Sequence, residues 1–377
     1  MTTYGMLSTY PPTQCGLATF AAALAGSLTT RNDRVSIVAM VDALQSGFPS
    51  EVDHQWIRGS FEGAYETAAH LNATDVVIVQ HEYGIFGGQD GQDVVEAINS
   101  ITVPIITVCH TVLETPTANQ RFILEDLATR SDTIVTMTAS ARHRLVTKYQ
   151  VDAAKVVVIP HGADETHLAG RFRTRTNFRP TILTWGLIGS GKGIEWGISA
   201  MSMLADLNPA PLYKIVGKTH PKVVANEGER YRENLVKQVQ EKGLQDRVEF
   251  DARYLTIPEL QEIVAGADIV LLPYDSKDQV TSGVLVEAIT AGKPVISTRF
   301  PHAAELLSGG MGILVERENP RQIANAIRRL LTEPETAKEM AAAARRMAPD
   351  LLWSAVADKY RDVAAQLLHT TRVRISA

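Results

Sequence analysis

Residues Thr181–Gly193 read T-I-L-T-W-G-L-I-G-S-G-K-G, and this stretch decides how the chain folds. Its first five residues are apolar or β-branched, which is typical of a strand buried in a sheet. Four glycines and one cation, Lys192, follow. Glycines let a backbone approach a ligand closely, and a lysine there supplies a point charge suited to phosphate. The helix predicted from about Ile194 directs its positive end at the same place. We therefore predict a phosphate site with a domain on either side.

Two nucleotide-binding motifs fit this stretch incompletely. Gly186 to Lys192 matches G-x-x-x-x-G-K, but a P-loop places Ser or Thr next to hold magnesium, and this chain has Gly193. The glycines at 189, 191 and 193 also miss the spacing of the G-x-G-x-x-G dinucleotide motif. A tight turn with a solvated lysine is the simpler alternative.

Length and composition bound the class of protein. The chain has 377 residues, which fits two domains better than one core. With 45% hydrophobic and 21% charged residues it has a globular composition, and its net charge of -5 argues against a dedicated nucleic-acid binder. Its two cysteines, Cys15 and Cys109, exclude a disulfide framework and fit a reducing compartment. Because we find neither a signal-peptide pattern nor an apolar run of ~18 residues, we expect a cytoplasmic protein.

Strand-like and helix-like segments alternate before and after the glycine-rich stretch. Buried-strand patterns at Asp75–Gln80, Val103–Cys109 and Val156–Pro160 are separated by helical segments. This order predicts doubly wound α/β domains. In such sheets ligands bind beyond the carboxyl ends of the strands. The polar residues that follow these three strands are His81, Glu82, His110 and His161.

Residues 169–180 form the predicted boundary between the domains. This segment, A-G-R-F-R-T-R-T-N-F-R-P, has no periodicity, and we interpret it as an exposed linker. It separates a domain of residues 1–168 from one of residues 181–350, and a last helical segment covers 351–377. A membrane-surface or phosphate-binding role is the alternative for its arginines, which are Arg171, Arg173, Arg175 and Arg179.

A second anion site is predicted where a loop leads into a helix near residue 283. Ser282 and Gly283 would open that helix, so their free N–H groups could face an anion. Glu287, about one turn later, could accept hydrogen bonds from vicinal hydroxyls, as acidic residues do on ribose. An N-capping serine beside a solvated glutamate is the simpler interpretation. Together with the glycine-rich stretch, these residues indicate a diphosphate plus a polyol, the outline of a nucleotide sugar.

No pattern in the sequence indicates a metal site. It contains no Asp-x-Asp and no His/Cys cluster with metal spacing. We therefore expect lysine and helix dipoles to neutralise a bound diphosphate, with no obligatory metal or other cofactor. Cys109 and His110 are adjacent on a strand and would face opposite sides, so they make a poor catalytic pair. A nucleophilic Cys15 paired with His110 is a further alternative.

Five motifs together resemble glycosyltransferase family 4, whose members are retaining enzymes of the GT-B fold. The segments are P-P-T-Q-C-G-L-A-T, V-I-P-H-G-A-D, W-G-L-I-G-S-G-K-G, D-I-V-L-L-P-Y and E-A-I-T-A-G-K-P-V, at Pro11–Thr19, Val158–Asp164, Trp185–Gly193, Asp268–Tyr274 and Glu287–Val295. This resemblance spans nearly the whole chain. It implies an α/β architecture of two doubly wound, Rossmann-like domains facing a central cleft, with the last helix crossing back to the N-terminal domain.

The chain is also similar to a narrower group within that family. Its motifs are H-E-x-G-I-F-G-G, G-x-G-K-G-I-E, and G-x-T-H-P followed by G-E-x-Y-R. They occur here at His81–Gly88, Gly189–Glu195 and Gly217–Arg232. This narrower resemblance favours mannose or glucose as the transferred sugar.

The family resemblance implies roles for individual residues. Lys192 matches a diphosphate-binding lysine, Glu287 a ribose ligand and His110 a histidine that touches the transferred sugar. The predicted catalytic residues are His110, Lys192, Gln279 and Glu287. The predicted donor-binding residues are Gly16, Gly189, Gly191, Lys192, Gly217, Tyr254, Thr281, Ser282, Gly283 and Glu287. The predicted acceptor-binding residues are Gln14, Cys15, His81, Glu82 and His161.

Two positions depart from the family pattern. Leu187 stands where the family usually has the arginine of G-R-L, and Gln279 replaces the first glutamate of E-x7-E. A lost cation weakens the grip on a diphosphate, and a lost carboxylate alters the contact to the sugar. Both keep open a glycoside phosphorylase that uses phosphate or a sugar 1-phosphate, and a non-catalytic carbohydrate- or nucleotide-binding protein.

The leading hypothesis is retaining transfer of a hexose from a nucleotide sugar to a carbohydrate or other hydroxyl acceptor. The resemblance implies that the leaving phosphate serves as base, so we name no protein nucleophile. The expected partners are a nucleotide sugar or sugar phosphate and a carbohydrate acceptor, and no nucleic acid. Membrane association is suggested only by the arginines of the predicted linker.

Overall fold

The structure is a computed structural model that describes residues 1–165 and 179–376. It divides into two compact units. Unit 1 consists of Met1–Gly162 with Trp353–Ala377, and unit 2 of Ala163–Leu352. Most of the predicted linker, including Arg171, Arg173 and Arg175, lies outside the described residues.

Unit 1 is built from strands that are buried almost throughout, as expected for a parallel sheet covered by helices. Its strands are β1 (Thr3–Ser8), β2 (Arg34–Val41), β3 (Val52–Ile57), β4 (Val76–His81), β5 (Ile105–Cys109), β6 (Thr133–Thr136) and β7 (Val156–Val158). Its helices before residue 163 are α1 (Gly16–Thr29), α2 (Phe61–Leu71), α3 (Asp93–Asn99), α4 (Ala118–Arg130) and α5 (Ala139–Lys148). In the part described, the strands pair in parallel in the order β3-β2-β1-β4-β5-β6-β7.

Unit 2 repeats this plan with one strand fewer in the described residues. Its strands are β8 (Thr181–Trp185), β9 (Leu212–Val216), β10 (Val248–Asp251), β11 (Ile269–Leu272), β12 (Val295–Thr298) and β13 (Gly312–Val315). Its helices are α6 (Ile194–Met201), α7 (Pro221–Glu227), α8 (Arg230–Glu241), α9 (Ile257–Gly266), α10 (Gly283–Thr290), α11 (Pro301–Leu306), α12 (Pro320–Thr332) and α13 (Pro334–Met347). The parallel order is β10-β9-β8-β11-β12-β13.

Both strand orders reverse direction at the first strand of the unit. β1 lies between β2 and β4, and β8 lies between β9 and β11. This is the doubly wound, Rossmann-like topology, so the predicted fold class of two such α/β domains is confirmed. The crevice outside the carboxyl ends of β8 and β11 is the place where such sheets bind ligands.

The last helix, α14 (Trp353–Ser376), belongs to unit 1 and packs along α1. Arg361 anchors it: its guanidinium lies 3.1 Å from an oxygen of Asp33 and donates to the carbonyl oxygens of Ser27 and Leu28, each at 2.8 Å. Those carbonyls belong to the last turn of α1, where a cation is favourable.

No described helix is at once long and apolar enough to cross a membrane.

Unit 2 begins earlier in the chain than the predicted linker. The N–H of Ala163 donates to the carbonyl of Leu351 at 2.8 Å, and Ala163 forms a parallel bridge with Leu352. These contacts join the first residue of unit 2 to its last two. Arg179, the one arginine of the predicted linker within the described residues, donates to the backbone carbonyls of Ala210 and Pro211.

Four elements went unrecognised in the sequence: β3, β13, α7 and α11. The strand β3 reads V-D-H-Q-W-I, and half of its residues are polar, because it lies at the edge of its sheet. The other three are seven residues or shorter, and the two helices each begin with a proline. Short elements of this kind depend on tertiary contacts more than on periodicity.

Trp353 tests the packing of α14 on unit 1. It is 6% exposed and stacks edge-to-face on Phe20 at 4.9 Å. We expect Trp353→Ala to lower the free energy of unfolding by about 3–5 kcal/mol in chemical denaturation, because it removes a large buried aromatic group. Phe122→Ala is the control, since Phe122 is 60% exposed. Equal losses for both variants would contradict this assignment.

Candidate functional site

The glycine-rich turn after β8 is held by contacts that leave no room for a side chain. Gly193 precedes α6 with φ +61°, and a Cβ at this position would lie 1.9 Å from the carbonyl oxygen of Pro273. At Gly217, after β9, φ is +133°, and a Cβ would lie 2.0 Å from the oxygen of Gly186. Only glycine tolerates both conditions. The carboxyl ends of β8, β9 and β11 therefore meet backbone to backbone.

Lys192 projects from this turn without an ion-pair partner among the described residues. Its Nζ lies 4.3 Å from the ring centroid of Tyr274, an attractive cation–π geometry. Tyr274 is itself buried and stacks on Phe300 at 5.3 Å. The ammonium is thus held in place by a fixed ring while its charge is not neutralised by a carboxylate.

The start of α10 corrects one sequence-based prediction. We expected the N–H of Ser282 to be free for an anion, but it donates to Nδ1 of His302 at 2.8 Å. His302 lies on α11, is 4% exposed and was missed, because nothing in the sequence links it to residue 282. Ser282 also caps the helix, since its hydroxyl accepts from the N–H of Leu285 at 3.3 Å. The N–H groups of Gly283 and Val284 have no acceptor in the described part of the chain.

The two halves of the predicted anion site lie at one edge of unit 2. A Cβ on Gly186 would lie 3.6 Å from Val284 Cγ2, so the glycine turn borders the first turn of α10. The N–H of Asp275, in the loop after β11, donates to the carbonyl of Gly191 at 2.9 Å. Gly189 and Gly191 belong to the same turn, and a side chain on Gly191 would meet nothing within 4 Å. This edge therefore combines open backbone with an unneutralised cation.

Glu287 is not a solvated surface glutamate. Its side chain is partly buried, and Oε2 accepts a hydrogen bond from the indole N–H of Trp185 at 3.0 Å. Burial, with the charge of Asp164 adding to its effect and the Trp185 hydrogen bond opposing it, raises the pKa of Glu287 to about 7. Its other oxygen, Oε1, has no donor among the described residues and is available to a hydroxyl.

Three further predicted residues follow strands at the same edge. Gln279 donates through Nε2 to the carbonyl of Thr281 at 3.0 Å, so its amide is partly used within the loop. The hydroxyl of Thr281 is buried without a partner in the residues described. Tyr254 is 44% exposed, with the ammonium of Lys218 5.6 Å from its ring centroid. Their donor-binding roles stay predictions.

The motifs of the narrower group form a hydrogen-bonded network beneath the turn. Arg232 donates to the carbonyl of Gly217 at 2.6 Å, and the hydroxyl of Thr219 donates to Glu229. The hydroxyl of Tyr231 donates to Glu195, which lies in the first turn of α6, at 2.6 Å. The spacing of these motifs therefore has a structural cause: α8 braces the loop after β9 and the start of α6.

In unit 1, His110 lies at the carboxyl end of β5 and is partly buried. Its Nε2 is 2.7 Å from Oε1 of Gln80, and its ring meets Phe20 edge-to-face at 4.8 Å. Burial, with smaller effects of the nearby His161 and His81, lowers its pKa to about 3. The imidazole is therefore neutral at physiological pH and can act by hydrogen bonding rather than by charge.

Phe20 packs against two of the predicted histidines at this edge, a contact that no sequence pattern indicated. Besides His110, it contacts the rings of His161 at 5.1 Å and Trp353 at 4.9 Å, all edge-to-face. Nδ1 of His161 lies 2.6 Å from the carbonyl oxygen of Gly162, and burial lowers the pKa of His161 to about 4. The apolar face of α1 thus supports both histidines.

His81 and Glu82 occupy different environments at the end of β4. His81 is 0% exposed, and neither ring nitrogen has a hydrogen-bond partner in the described residues. Burial lowers its pKa to about 4. Glu82 is partly buried and accepts a hydrogen bond from the hydroxyl of Thr111. Acceptor binding by either residue stays a prediction, and Glu82 is the one with exposed surface.

The loop before α1 presents three predicted residues. Gln14 and Gly16 are exposed, and a Cβ on Gly16 would meet nothing within 4 Å, so packing does not require glycine there. The thiol of Cys15 caps α1 by accepting from the N–H of Ala18 at 3.4 Å.

Cys109 is buried, and burial, with the charge of Glu82 adding, raises its pKa to about 12, which disfavours a thiolate.

Within residues 1–165 and 179–376, no three His, Cys, Asp or Glu side chains are arranged to hold a metal ion.

Two family models match the chain, one in each half. "Glycosyltransferase Family 4" matches residues 15–167, and "Glycosyl transferases group 1" matches residues 171–347. The chain belongs to glycosyltransferase family 4. The family resemblance carried by the motifs is therefore confirmed.

Curated relatives in this family are distant. The D-inositol 3-phosphate glycosyltransferase of Stackebrandtia nassauensis is 28% identical over 244 residues, which are 62% of this chain and 54% of that protein. The alpha-D-kanosaminyltransferase of Streptomyces kanamyceticus is 26% identical over 55% of this chain and 53% of its own length. The chain thus matches about half the length of these two relatives.

Solved structures share the fold over nearly the entire chain. HepE from Anabaena in complex with UDP superposes with a TM-score of 0.76 at 16% identity, covering 97% of this chain and 100% of that one. Sucrose-phosphate synthase from Thermosynechococcus elongatus gives 0.74 at 17% identity, covering 98% and 100%. At this identity the likeness establishes the GT-B fold of the family and nothing finer.

The buried imidazole of His81 predicts a stability that falls in acid. Its pKa is about 4 in the fold against 6.5 in the unfolded chain. Between these values the unfolded chain binds more protons, so stability decreases as pH falls, by about 1.4 kcal/mol per pH unit. In urea denaturation at pH 6 and at pH 5, the wild type should therefore lose about 1 kcal/mol more stability over this interval than His81→Phe does. His143→Phe, at an exposed site, is the control. Parallel pH profiles for wild type and His81→Phe would refute the assignment.

Proposed function

We propose that this chain is a retaining glycosyltransferase that moves a hexose, glucose or mannose, from a nucleotide sugar to a carbohydrate or other hydroxyl acceptor. One observation carries the proposal: the ammonium of Lys192, with no carboxylate partner among the described residues, lies on a turn that borders the unpaired N–H groups opening α10. A cation beside a helix N-terminus suits a diphosphate. Family membership supports the choice, as do neighbours solved with UDP and with UDP-glucose.

In this proposal unit 2 binds the donor and stabilises the leaving group. Negative charge develops on the diphosphate as the glycosidic bond breaks. Lys192 and the N–H groups of Gly283 and Val284 are pre-positioned for that charge, so little reorganisation is needed. Because Leu187 is uncharged, Lys192 is the single cation of the Gly186–Gly193 turn. No metal is required for this neutralisation.

Unit 1 supplies hydrogen-bonding groups for the sugars. A neutral His110 would bind a hydroxyl of the transferred hexose. The acceptor would be bound by exposed or partly exposed groups: Gln14, Cys15, Glu82 and His161. Glu287 would hold the donor ribose through Oε1.

Lys192→Ala tests the charge that the proposal depends on. We expect turnover to fall about 100-fold, because one pre-positioned charge on the leaving group is lost. Initial rates are measured with UDP-glucose and with GDP-mannose against a panel of carbohydrate acceptors. Lys222→Ala is the matched control, since Lys222 is an exposed cation on α7. Unchanged turnover in Lys192→Ala, with an intact thermal melt, would remove the phosphate role.

A thermal-shift screen separates the proposal from its alternatives. A preferred nucleotide sugar raises the melting temperature by mass action. Stabilisation by a sugar 1-phosphate, together with turnover that needs inorganic phosphate, would instead establish a phosphorylase. Stabilisation by a nucleotide sugar without turnover across the acceptor panel would establish a non-catalytic binding protein.

A further inference from the structure

We propose that Trp185 is a positioning residue for Glu287: its indole N–H fixes one carboxylate oxygen, so that the other is presented to the vicinal hydroxyls of the donor ribose. This inference rests on the proposed function, in which Glu287 binds ribose. The sequence places the two residues 102 positions apart and gave Trp185 no role of its own.

Strand alternation delivers Trp185 to Glu287. In β8, Ile182 faces one core of unit 2, whereas Leu183 and Trp185 face the other, which α10 covers. Trp185 is the last residue of the strand and is 5% exposed, packed in the same core cluster as Leu285. The indole is therefore fixed by packing on both the strand and the helix.

The hydrogen bond has an unambiguous direction. An indole nitrogen can only donate, and it lies 3.0 Å from Oε2 of Glu287. Oε1 has no donor among the described residues, and the Glu287 side chain keeps part of its surface exposed. A carboxylate already held in one orientation loses less rotamer freedom when a ligand binds, which favours affinity.

The same contact affects the charge of the carboxylate. Burial raises the pKa of Glu287 and the charge of Asp164 adds to this, while the Trp185 hydrogen bond opposes both. Asp164 is the charged group that acts on Glu287. Without Trp185, a larger fraction of Glu287 would be protonated at neutral pH. An ionised carboxylate accepts from two hydroxyls, so ribose binding would weaken most at low pH.

A titration of Glu287 tests the contact without requiring activity. The carboxyl carbon of Glu287, in full-length protein labelled with ¹³C-glutamate, is followed by NMR in the wild type and in Trp185→Phe. We expect the midpoint to rise by about one pH unit in the variant, because a hydrogen bond to the charged form is lost. Trp196→Phe is the matched control, since it removes the indole hydrogen bond to Asp275, at 3.1 Å. An unchanged midpoint in Trp185→Phe overturns the proposal.

Kinetics then separates positioning from simple structural support. At pH 7 we expect Trp185→Phe to raise KM for UDP-glucose or GDP-mannose about tenfold and to change kcat less than threefold. This rise in KM should be smaller at pH 8.5, where Glu287 is ionised in both proteins. In a Glu287→Gln background, Trp185→Phe should add nothing, because the two residues act together. If the losses of the two single variants multiply in the double variant, the proposal is overturned. A fall in kcat with KM unchanged in Trp185→Phe overturns it as well.

Failure of the proposed function is distinguishable from failure of this inference. A wild type that transfers no sugar removes the glycosyltransferase function, whereas the NMR midpoint still decides whether Trp185 controls Glu287. A shifted midpoint with the control unchanged supports the pair, and coincident titrations overturn it.

Discussion

The site in unit 2 depends on backbone packing against backbone at the ends of three parallel strands. Gly193 meets the carbonyl of Pro273, and Gly217 meets that of Gly186, at distances that exclude any Cβ. This contact leaves the turn after β8 bordering the start of α10. The open N–H groups of the helix are then positioned by the main chain, and the ammonium of Lys192 is held over the ring of Tyr274. Pre-positioned charge of this kind is what a departing diphosphate requires.

Burial determines what the ionisable residues can do. In unit 1 it keeps His81, His110 and His161 neutral, with pKa values of about 4, 3 and 4. Neutral imidazoles can orient hydroxyls, but they cannot neutralise a phosphate. In unit 2 burial brings Glu287 to a pKa of about 7, where a single hydrogen bond changes its protonation. In the proposed function the phosphate charge is therefore left to Lys192 and the helix start.

Local sequence predicted most of the fold because its signals are local. Apolar segments identified the strands, and the glycines that follow them identified the turns, on which the doubly wound topology depends. The short elements β3, β13, α7 and α11 lacked such signals, because their stability comes from neighbours in space. The prediction that the N–H of Ser282 is free was wrong for the same reason. Its hydrogen-bond acceptor, Nδ1 of His302, lies on a different helix. The hydrogen bond from Arg232 to the carbonyl of Gly217 gives a structural reason for the motif at Gly217–Arg232, which the sequence alone did not explain.

The sequence by itself determined the family, the α/β class and the loops that carry the site, since motif residues and strand periodicity are properties of consecutive positions. Only the tertiary structure decided which groups are free and which are used. It showed that Trp185 holds Glu287, that Phe20 supports two histidines and that Lys192 rests on Tyr274. These outcomes depend on hydrogen bonds, ring contacts and burial between residues far apart in the chain. Such terms arise only when the sheets fold and the helices cover them.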